Sequence, residues 1–513
     1  MDFLPMLGAL APVPLLLAVL FAATRPGLRP AAVPLAAEGA ALVALALALG
    51  SVVQLVLQGP QVTGLLRLDP LAATMALLVA FVGWVVTRYS RSYLDGEARE
   101  GAFHARMLVT LAAVLVLVQA GDMLVLVAGF AAVGIGLRQL LLFYGDRAEA
   151  QRAAAKFSLV WGAGDVLLAV ATGLLFAAYG TTGIAGIADA VAAQGLPMEA
   201  RVAVALMVVV AALKTAAFPL HGWLTEVMEA PTPVSALLHA GIINGGGFLL
   251  VRMADLVQAS PGAMAALVML GGFTALFGAA VMLTQSAVKT ALAWSTVAQM
   301  GFLLLQCGLG LWALAVLHIV AHSLYKAHAF LSSGTAVQAV AAVRRPGPVA
   351  VPGLVAVGRA FAVALVLYAV VAVGFSLIAA PKSAQALALG AILIFGVAYL
   401  VAQGLADAAP RALTQRTALA SFAAAVGYFG FHVIAGLVWG PHLPRPPVPG
   451  ALEWALIVLA LMSFGLVAVA QALFPLWAHH PAAAGLRVHL ANGLYLNAVL
   501  DRMIGGFRAT RPN

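Results

Sequence analysis

Long uncharged apolar runs, such as Leu108–Ala120 and Phe361–Ala380, constrain this chain more than any other feature. Inside hydrocarbon every backbone N–H and C=O must find a partner within the protein, so only helices and closed barrels cross a bilayer. Barrel strands alternate apolar and polar residues over roughly ten positions, and these runs do not alternate. They read as membrane-spanning helices. Composition extends that reading to the whole chain: apolar residues make up 64% and charged residues 9%, against roughly 45–50% and 25% in a soluble domain. At roughly 20 residues per span plus short connections, 513 residues allow about fifteen helices, with fourteen or sixteen as the neighbouring counts. The expected fold is an all-α polytopic membrane protein.

The spans fall at 3–23, 33–57, 69–87, 103–120, 122–143, 157–179, 202–220, 233–257, 263–284, 288–309, 311–336, 353–379, 383–403, 417–439 and 451–475. Assigning alternate loops to two sides separates the basic residues. One side collects Arg25, Arg29, Arg88, Arg91, Arg99, Arg106, Arg147, Arg152, Lys156, Lys289, Arg344, Arg345, Arg411, Arg416 and the tail arginines; the other holds little beyond Arg67, Arg201, Arg252, Lys382 and Arg445. About 18 against about 5 is the asymmetry expected of cytoplasmic and exterior loops, which places the N-terminus outside and the C-terminus in the cytoplasm. The net charge of +9 therefore reports topology. No basic stripe interleaved with aromatics is present, so nucleic acid is not the expected partner; the bilayer is. The N-terminus lacks the basic region of a cleavable signal, and its apolar stretch is long enough to remain as a span.

The polar stretches 88–106, 144–156, 181–201, 440–450 and 476–513 are too short for a soluble domain, so no extramembrane enzyme is expected in this chain. No dinucleotide-binding glycine fingerprint, P-loop or CxxC pair occurs, and no cofactor is expected. Cys307, the single cysteine, sits in an apolar run as a small hydrophobe. Driving energy must come from an ion gradient or a partner. Alanine- and glycine-rich spans suit close helix packing in lipid.

An ionisable side chain at bilayer depth costs at least ~2.5–3.5 kcal/mol, so each one needs a reason. Lys214 lies twelve residues into the seventh expected span, and Pro219, which cannot donate to the Thr215 carbonyl, breaks the helix beside it. Broken helices facing a cavity recur in transporters; a lysine neutralised by a structural carboxylate is the plainer alternative. Glu226 and Glu229 follow, then Pro231 and Pro233, whose rigid backbone sets re-entry into the next span. Glu229 is a candidate entry group or an interfacial carboxylate at a helix start. Ser235 and His239 share a face at i, i+4, His239 being a relay group or a core histidine bonded to a carbonyl.

The eleventh span carries the strongest constellation. His318, His322 and Lys326 fall at i, i+4, i+8 and form a file about 12 Å long on one helix face. Histidine passes protons through either ring nitrogen near neutral pH. A metal reading of HxxxH lacks the adjacent glutamate of zinc hydrolases, and no matching histidine pair on a second helix points to haem. Asp165, eight residues into the sixth span with Lys156 at its entrance, is a candidate counter-charge for a buried lysine or caps a polar gap near Trp161. Asp122 and Lys289 read as interfacial.

At these residues the chain resembles a known family. The run from Lys214 to Ala240 (KTAAFPLHGWLTEVMEAPTPVSALLHA), that from Val288 to Phe302 (VKTALAWSTVAQMGF) and that from His318 to Ser333 are similar to the signatures of the antiporter-like subunits of respiratory complex I and Mrp-type sodium/proton antiporters. The likeness runs from about residue 88 to about 340. It implies two inverted five-helix repeats with a row of polar residues along the membrane midplane. The division it implies is 1–102 as an N-terminal three-helix segment, 103–258 and 259–403 as the repeats, and 404–513 as C-terminal helices with a short cytoplasmic tail. Within that superfamily, HAGIINGGGFLLVR from His239 to Arg252, and the tail NGLYLNAVLDR from Asn492 to Arg502, look like the DabB-type membrane subunits of bacterial DAB inorganic-carbon accumulation systems. So does the lack of the long lateral helix of the largest complex I antiporter-like subunit. Such subunits work in the bacterial inner membrane with DabA, a large zinc protein resembling β-carbonic anhydrases. The resemblance implies that cation influx through this chain drives CO2 hydration to bicarbonate in that cytoplasmic partner.

The family places a glutamate in the fifth span opposite the lysine matching Lys214; here the stretch Gly129–Gly136 has Ala131 at that position. Lys214 then takes another partner, Asp165 being the candidate, or goes without one. The second-half lysine of the twelfth span is not evident unless Lys382 substitutes. The expected roles are Lys214 as gating cation, His239 as the link between halves, His318, His322 and Lys326 as relay, and Asp165 with Glu226 or Glu229 as counter-charges or entry groups. Two other classes remain: a cation/proton antiporter or NADH dehydrogenase subunit, and a membrane scaffold that only anchors a catalytic partner. The orientation is testable first. With Cys307 replaced, Glu149→Cys should react with an impermeant maleimide only from the cytoplasmic side and Glu199→Cys only from outside; the reverse pattern overturns the topology.

Overall fold

The structure, a computed structural model, describes residues 6–335, 353–378, 382–404 and 411–503. The described residues are helical apart from one small hairpin. Leu7–Leu10 leads into α1 (Pro12–Ala23), followed by α2 (Val33–Gln58), the hairpin of β1 (Gln61–Thr63) and β2 (Leu66–Leu68), and α3 (Pro70–Tyr93). The hairpin pairs Val62 with Arg67 and turns at Gly64, whose φ of 60° is one that glycine adopts without strain. Then come α4 (Glu100–Val118), α5 (Met123–Leu141), α6 (Ala148–Tyr179), α7 (Ile184–Gln194) and α8 (Met198–Lys214). A broken segment holds α9 (Gly222–Thr225), and α10 (Thr232–Ala240) and α11 (Gly245–Arg252) share the next crossing. The chain continues through α12 (Pro261–Met282), α13 (Val288–Gly308), α14 (Trp312–Leu331), α15 (Leu354–Ile378), α16 (Ala384–Gly404), α17 (Arg411–Val438) and α18 (Ala451–Ala472). It ends in two short helices, α19 (Pro481–Ala491) and α20 (Leu496–Met503).

Local chemistry sets the boundaries. The Asp69 carboxylate accepts from the Ala72 N–H at 2.7 Å with Pro70 in the first helical turn, where its missing N–H is no loss. Asp122 caps α5 in the same way through Leu124. Gly180, with a φ of 69°, stops α6.

Helix occurs in all fifteen expected spans, and twelve helices among the described residues are long and apolar enough to cross a membrane. Of the other three expected spans, two are shorter or broken, the pair before Ala23 and the seventeen-residue α8, while α16 is a continuous helix of 21 residues. Three expectations change. The seventh span, expected to run to 220, stops at Lys214, because the backbone turns out of helix at Ala216 (φ 51°) before Pro219 is reached. The polar stretch 181–201 contains a helix, α7, and the tail holds α19 and α20. Arg344, Arg345, the arginines beyond position 503 and the side chains of Arg411 and Arg416 lie outside the described residues.

Two polar faces bound the bundle. On one, Arg29 meets Asp95, Arg88 and Arg91 meet Glu38, Arg147 meets Glu229, and Arg152 meets Asp501. On the other, Arg67 and Arg252 flank Asp69, Thr182 donates to Asp122, and Gln258 donates to the Arg445 carbonyl. These are the two groups into which the loop charges sort.

Burial peaks at the α10–α11 crossing, 89% buried against 17% for α15 or α18. Beside it α12 and α13 form the tightest seam. A methyl added at Gly271 would lie 2.4 Å from the Leu305 nitrogen, and one at Gly301 2.3 Å from the Ala275 nitrogen; Gly278 and Gly308 meet backbone likewise. Small residues here let two backbones touch, the main source of helix association in lipid. Gly301→Val should therefore destabilise the protein by about 1–3 kcal/mol. Gly272→Ala, which meets nothing within 4 Å, should be neutral in thermal unfolding in detergent. Equal melting of the two variants would refute the seam.

Candidate ion-translocation site

Lys214 is the last residue of α8 and is wholly buried. Beyond it the Thr215 N–H still bonds to the Ala211 carbonyl, and then the helix ends; the Phe218–Pro219 bond is cis. The free end is covered by α9, whose Trp223 indole donates to the Leu213 carbonyl at 3.1 Å, satisfying one of the carbonyls a helix terminus leaves open. A cation at this end also faces the negative pole of the helix.

The Lys214 ammonium donates to Asp165 Oδ1 at 2.6 Å. It lies 4.0 Å from the ring centre of Trp161 and 4.5 Å from that of Phe130, while the Trp161 indole donates to the Phe130 carbonyl. Two aromatic faces and one carboxylate thus replace water around the charge. This explains the departure at Ala131. The fifth span contributes the face of the neighbouring Phe130, and the carboxylate comes from the sixth span instead.

Glu226 and Glu229 go elsewhere. Glu226 bonds Lys156 at 2.8 Å, and Glu229 pairs with Arg147 at 2.9 Å on the arginine-rich surface. Pro231 and Pro233 start α10, as expected of a re-entry. The buried His239 ring stacks on Phe330 at 4.3 Å, with Nδ1 3.2 Å from Thr296 Oγ1 and no protein partner for Nε2. On α14, His318 Nδ1 lies 2.7 Å from Gln306 Oε1, and its ring is 6.0 Å from that of His322. Neither His322 nitrogen has a protein partner, and the Lys326 ammonium donates to the Leu292 carbonyl at 3.1 Å. Among the described residues no carboxylate lies within 4 Å of Lys326, and no three His, Cys, Asp or Glu side chains converge as a metal requires. Lys382 is half-buried just ahead of α16.

Besides His239, two residues that join α10–α11 to α14, Asn244 and Ser323, are not singled out by the sequence. Asn244, between α10 and α11, donates to the Ala240 carbonyl at 2.9 Å and to Ser323 Oγ at 3.1 Å; its own oxygen has no protein partner. Ser323 adjoins His322, and Gly245, next to Asn244, faces the Phe130 ring that covers Lys214. A cavity of about 20 Å3 touches Asn244 and Ser323, room for one water. The signal was an amide flanked by glycines in an otherwise apolar run. Buried polar atoms are rarely left unmet, yet one nitrogen each of His239 and His318, both nitrogens of His322 and the Asn244 oxygen have no protein partner.

Comparison with known proteins identifies the family. The transmembrane family described as NADH:quinone oxidoreductase/Mrp antiporter matches residues 120–408, and the N-terminal family of complex I chain 5 matches residues 58–104. The chain belongs to the NADH:quinone oxidoreductase/Mrp antiporter family. Within it, the probable inorganic carbon transporter subunit DabB2 of Halothiobacillus neapolitanus is 37% identical over 85% of this chain and 79% of its own length. The DabB of Hydrogenovibrio crunogenus is 42% identical over 52% of each chain. NADH-quinone oxidoreductase subunit L of Mycobacterium tuberculosis is 35% identical over 55% of this chain and 45% of its own. This chain thus spans about half the length of the latter two. In fold it is similar to the Mrp complex of a Dietzia species, at a TM-score of 0.64 and 24% identity over 96% of this chain and 59% of that one. An archaeal membrane-bound sulfane sulfur reductase gives 0.60 and 17% over 96% and 99%.

Removing one partner of a buried ion pair leaves an uncompensated charge and costs about 3–5 kcal/mol, whereas replacing both is far milder. Asp165→Asn should therefore lower thermal stability sharply, and Asp165→Asn combined with Lys214→Met should recover most of the loss. Additive losses would show that the 2.6 Å contact is not an energetic pair.

Proposed function

We propose that this chain is a proton-conducting membrane subunit, sodium being the alternative cation, whose inward cation flow energises inorganic-carbon accumulation. The partner would be a DabA-like zinc protein, resembling β-carbonic anhydrases, on the cytoplasmic face. The single observation that carries this reading is the Lys214–Asp165 pair, buried at a broken helix end and continued toward Asn244, His239 and the α14 file. An ammonium held by one carboxylate changes its charge state, or lets go, when a proton arrives or leaves. Each such event alters the field at the next group in the row, because charges interact strongly away from water.

Chemistry belongs to the partner in this reading, and the chain itself needs no cofactor. Its place is the bacterial inner membrane, with the N-terminus outside and the arginine-rich face in the cytoplasm, as the loop charges indicate. The DabB relatives support the carbon-linked function through their name as probable inorganic carbon transporter subunits. The family, described as NADH:quinone oxidoreductase/Mrp antiporter, supports cation/proton antiport as the second reading.

In a cell lacking its own carbonic anhydrases, Lys214→Ala and Lys326→Ala should each abolish growth in air. Vesicles holding the subunit with its partner should show a proton flux that both variants reduce to that of empty vesicles. Normal growth of both variants would overturn the assignment, and sodium-dependent flux without carbon dependence would favour antiport.

A further inference from the structure

The helix α20 lies against α6, which carries Asp165, and against the broken segment that follows Lys214. Asp165 sits on α6, and nine residues earlier on that helix, about 14 Å along its axis, Lys156 faces the arginine-rich end. Lys214 opens the broken segment, and Glu226 closes its short helix α9. Lys156 and Glu226 meet at 2.8 Å, so α6 is joined to the end of α8 at depth and to the broken segment near the face.

The second junction is completed from the far end of the chain. The Lys156 ammonium also contacts Asp501 Oδ1 at 2.6 Å and Asn497 Oδ1 at 2.8 Å. Asp501 Oδ2 accepts from Arg152 at 2.8 Å, Arg152 lies 3.5 Å from Glu226, and the Asn497 amide donates to Glu226. Two cations and two carboxylates balance, and the Lys156, Asp501 and Glu226 side chains are 6, 13 and 21% exposed. The fit is steric as well. A methyl group on Gly222 would lie 1.9 Å from Asn497 Oδ1, and one on Gly493 would lie 3.3 Å from the Trp294 ring and 3.7 Å from His221 Nε2. Without the tail, Arg152, Lys156 and Glu226 would leave one net positive charge at this spot.

We propose that Asp501 and Asn497 are positioning residues for the Lys214–Asp165 pair: α20 clasps α6 to the broken segment, keeps the pair closed, and must let go for each passage of charge. A lysine and an aspartate 2.6 Å apart pass nothing on while they hold each other. Lys214 ends α8 where the broken segment begins, so a shift of that segment against α6 would draw the two side chains apart, and the clasp ties the segment to α6 near the face. The inference rests on the conducting role proposed above.

The test joins Asn497→Cys to Gly222→Cys with Cys307 replaced. In vesicles holding the subunit and its partner, the disulfide should abolish proton flux and a reductant should restore it. Asp501→Asn should raise flux several-fold while Asp501→Glu restores the wild-type rate. A flux unchanged by the disulfide, or one that falls in Asp501→Asn, overturns the clasp. The rate of disulfide formation is read separately and needs no conduction. It should slow by more than about tenfold with Asp501→Lys, a modest bound for breaking a buried ion pair, and an unchanged rate overturns the clasp even where no flux exists. Absence of any flux sensitive to Lys214→Ala in the parent protein refutes the conducting role instead.

Discussion

The structure turns on one ammonium group kept far from water. Lys214 sits at the end of a helix that stops beneath it, and everything near it answers the problem of its charge: one carboxylate from α6, two aromatic faces, and the negative pole of α8. Continuous helix would have sealed the lysine among its own turns. With the helix ended at Lys214, the ammonium lies against Asp165, Trp161 and Phe130, and the Phe130 ring in turn meets Gly245 beside Asn244. A buried charge of this kind is a poor way to gain stability, which is why a role in moving charge accounts for it better than packing does.

The two halves of the row solve the same problem differently. Lys214 has a carboxylate, whereas Lys326 rests on the Leu292 carbonyl and shares its helix with two histidines whose nitrogens are largely unpartnered. The file of His318, His322 and Lys326 runs along α14 and so crosses part of the membrane's thickness, while Asn244 and His239 bridge sideways between halves. The row therefore bends at α14.

Much of this was legible in the chain alone. Uninterrupted apolar runs announced the helices, loop arginines announced two faces, and the spacing of His318, His322 and Lys326 announced a shared helix side. Asp165 could be named as the counter-charge because few carboxylates lie at bilayer depth. The seventh span was drawn six residues too long, since Pro219 looked like the breaker and the backbone departs earlier. Glu226 and Glu229, expected as counter-charges or entry groups, lie near the arginine-rich face, where Glu226 meets Lys156 and Glu229 meets Arg147. Asn244, Gln306 and the contacts of Asp501 were not legible, because they depend on pairings between residues up to 349 positions apart, which no local pattern records.

The four glycines that bring α12 and α13 into backbone contact fix those helices in register like the teeth of a closed zipper. Sliding one past the other by any fraction of a turn would drive a neighbouring side chain into main chain. That pair therefore forms a fixed seam, and the segment between Lys214 and Pro231 is seated directly on it, Phe218 against Phe273 and Phe277 and His221 against Trp294.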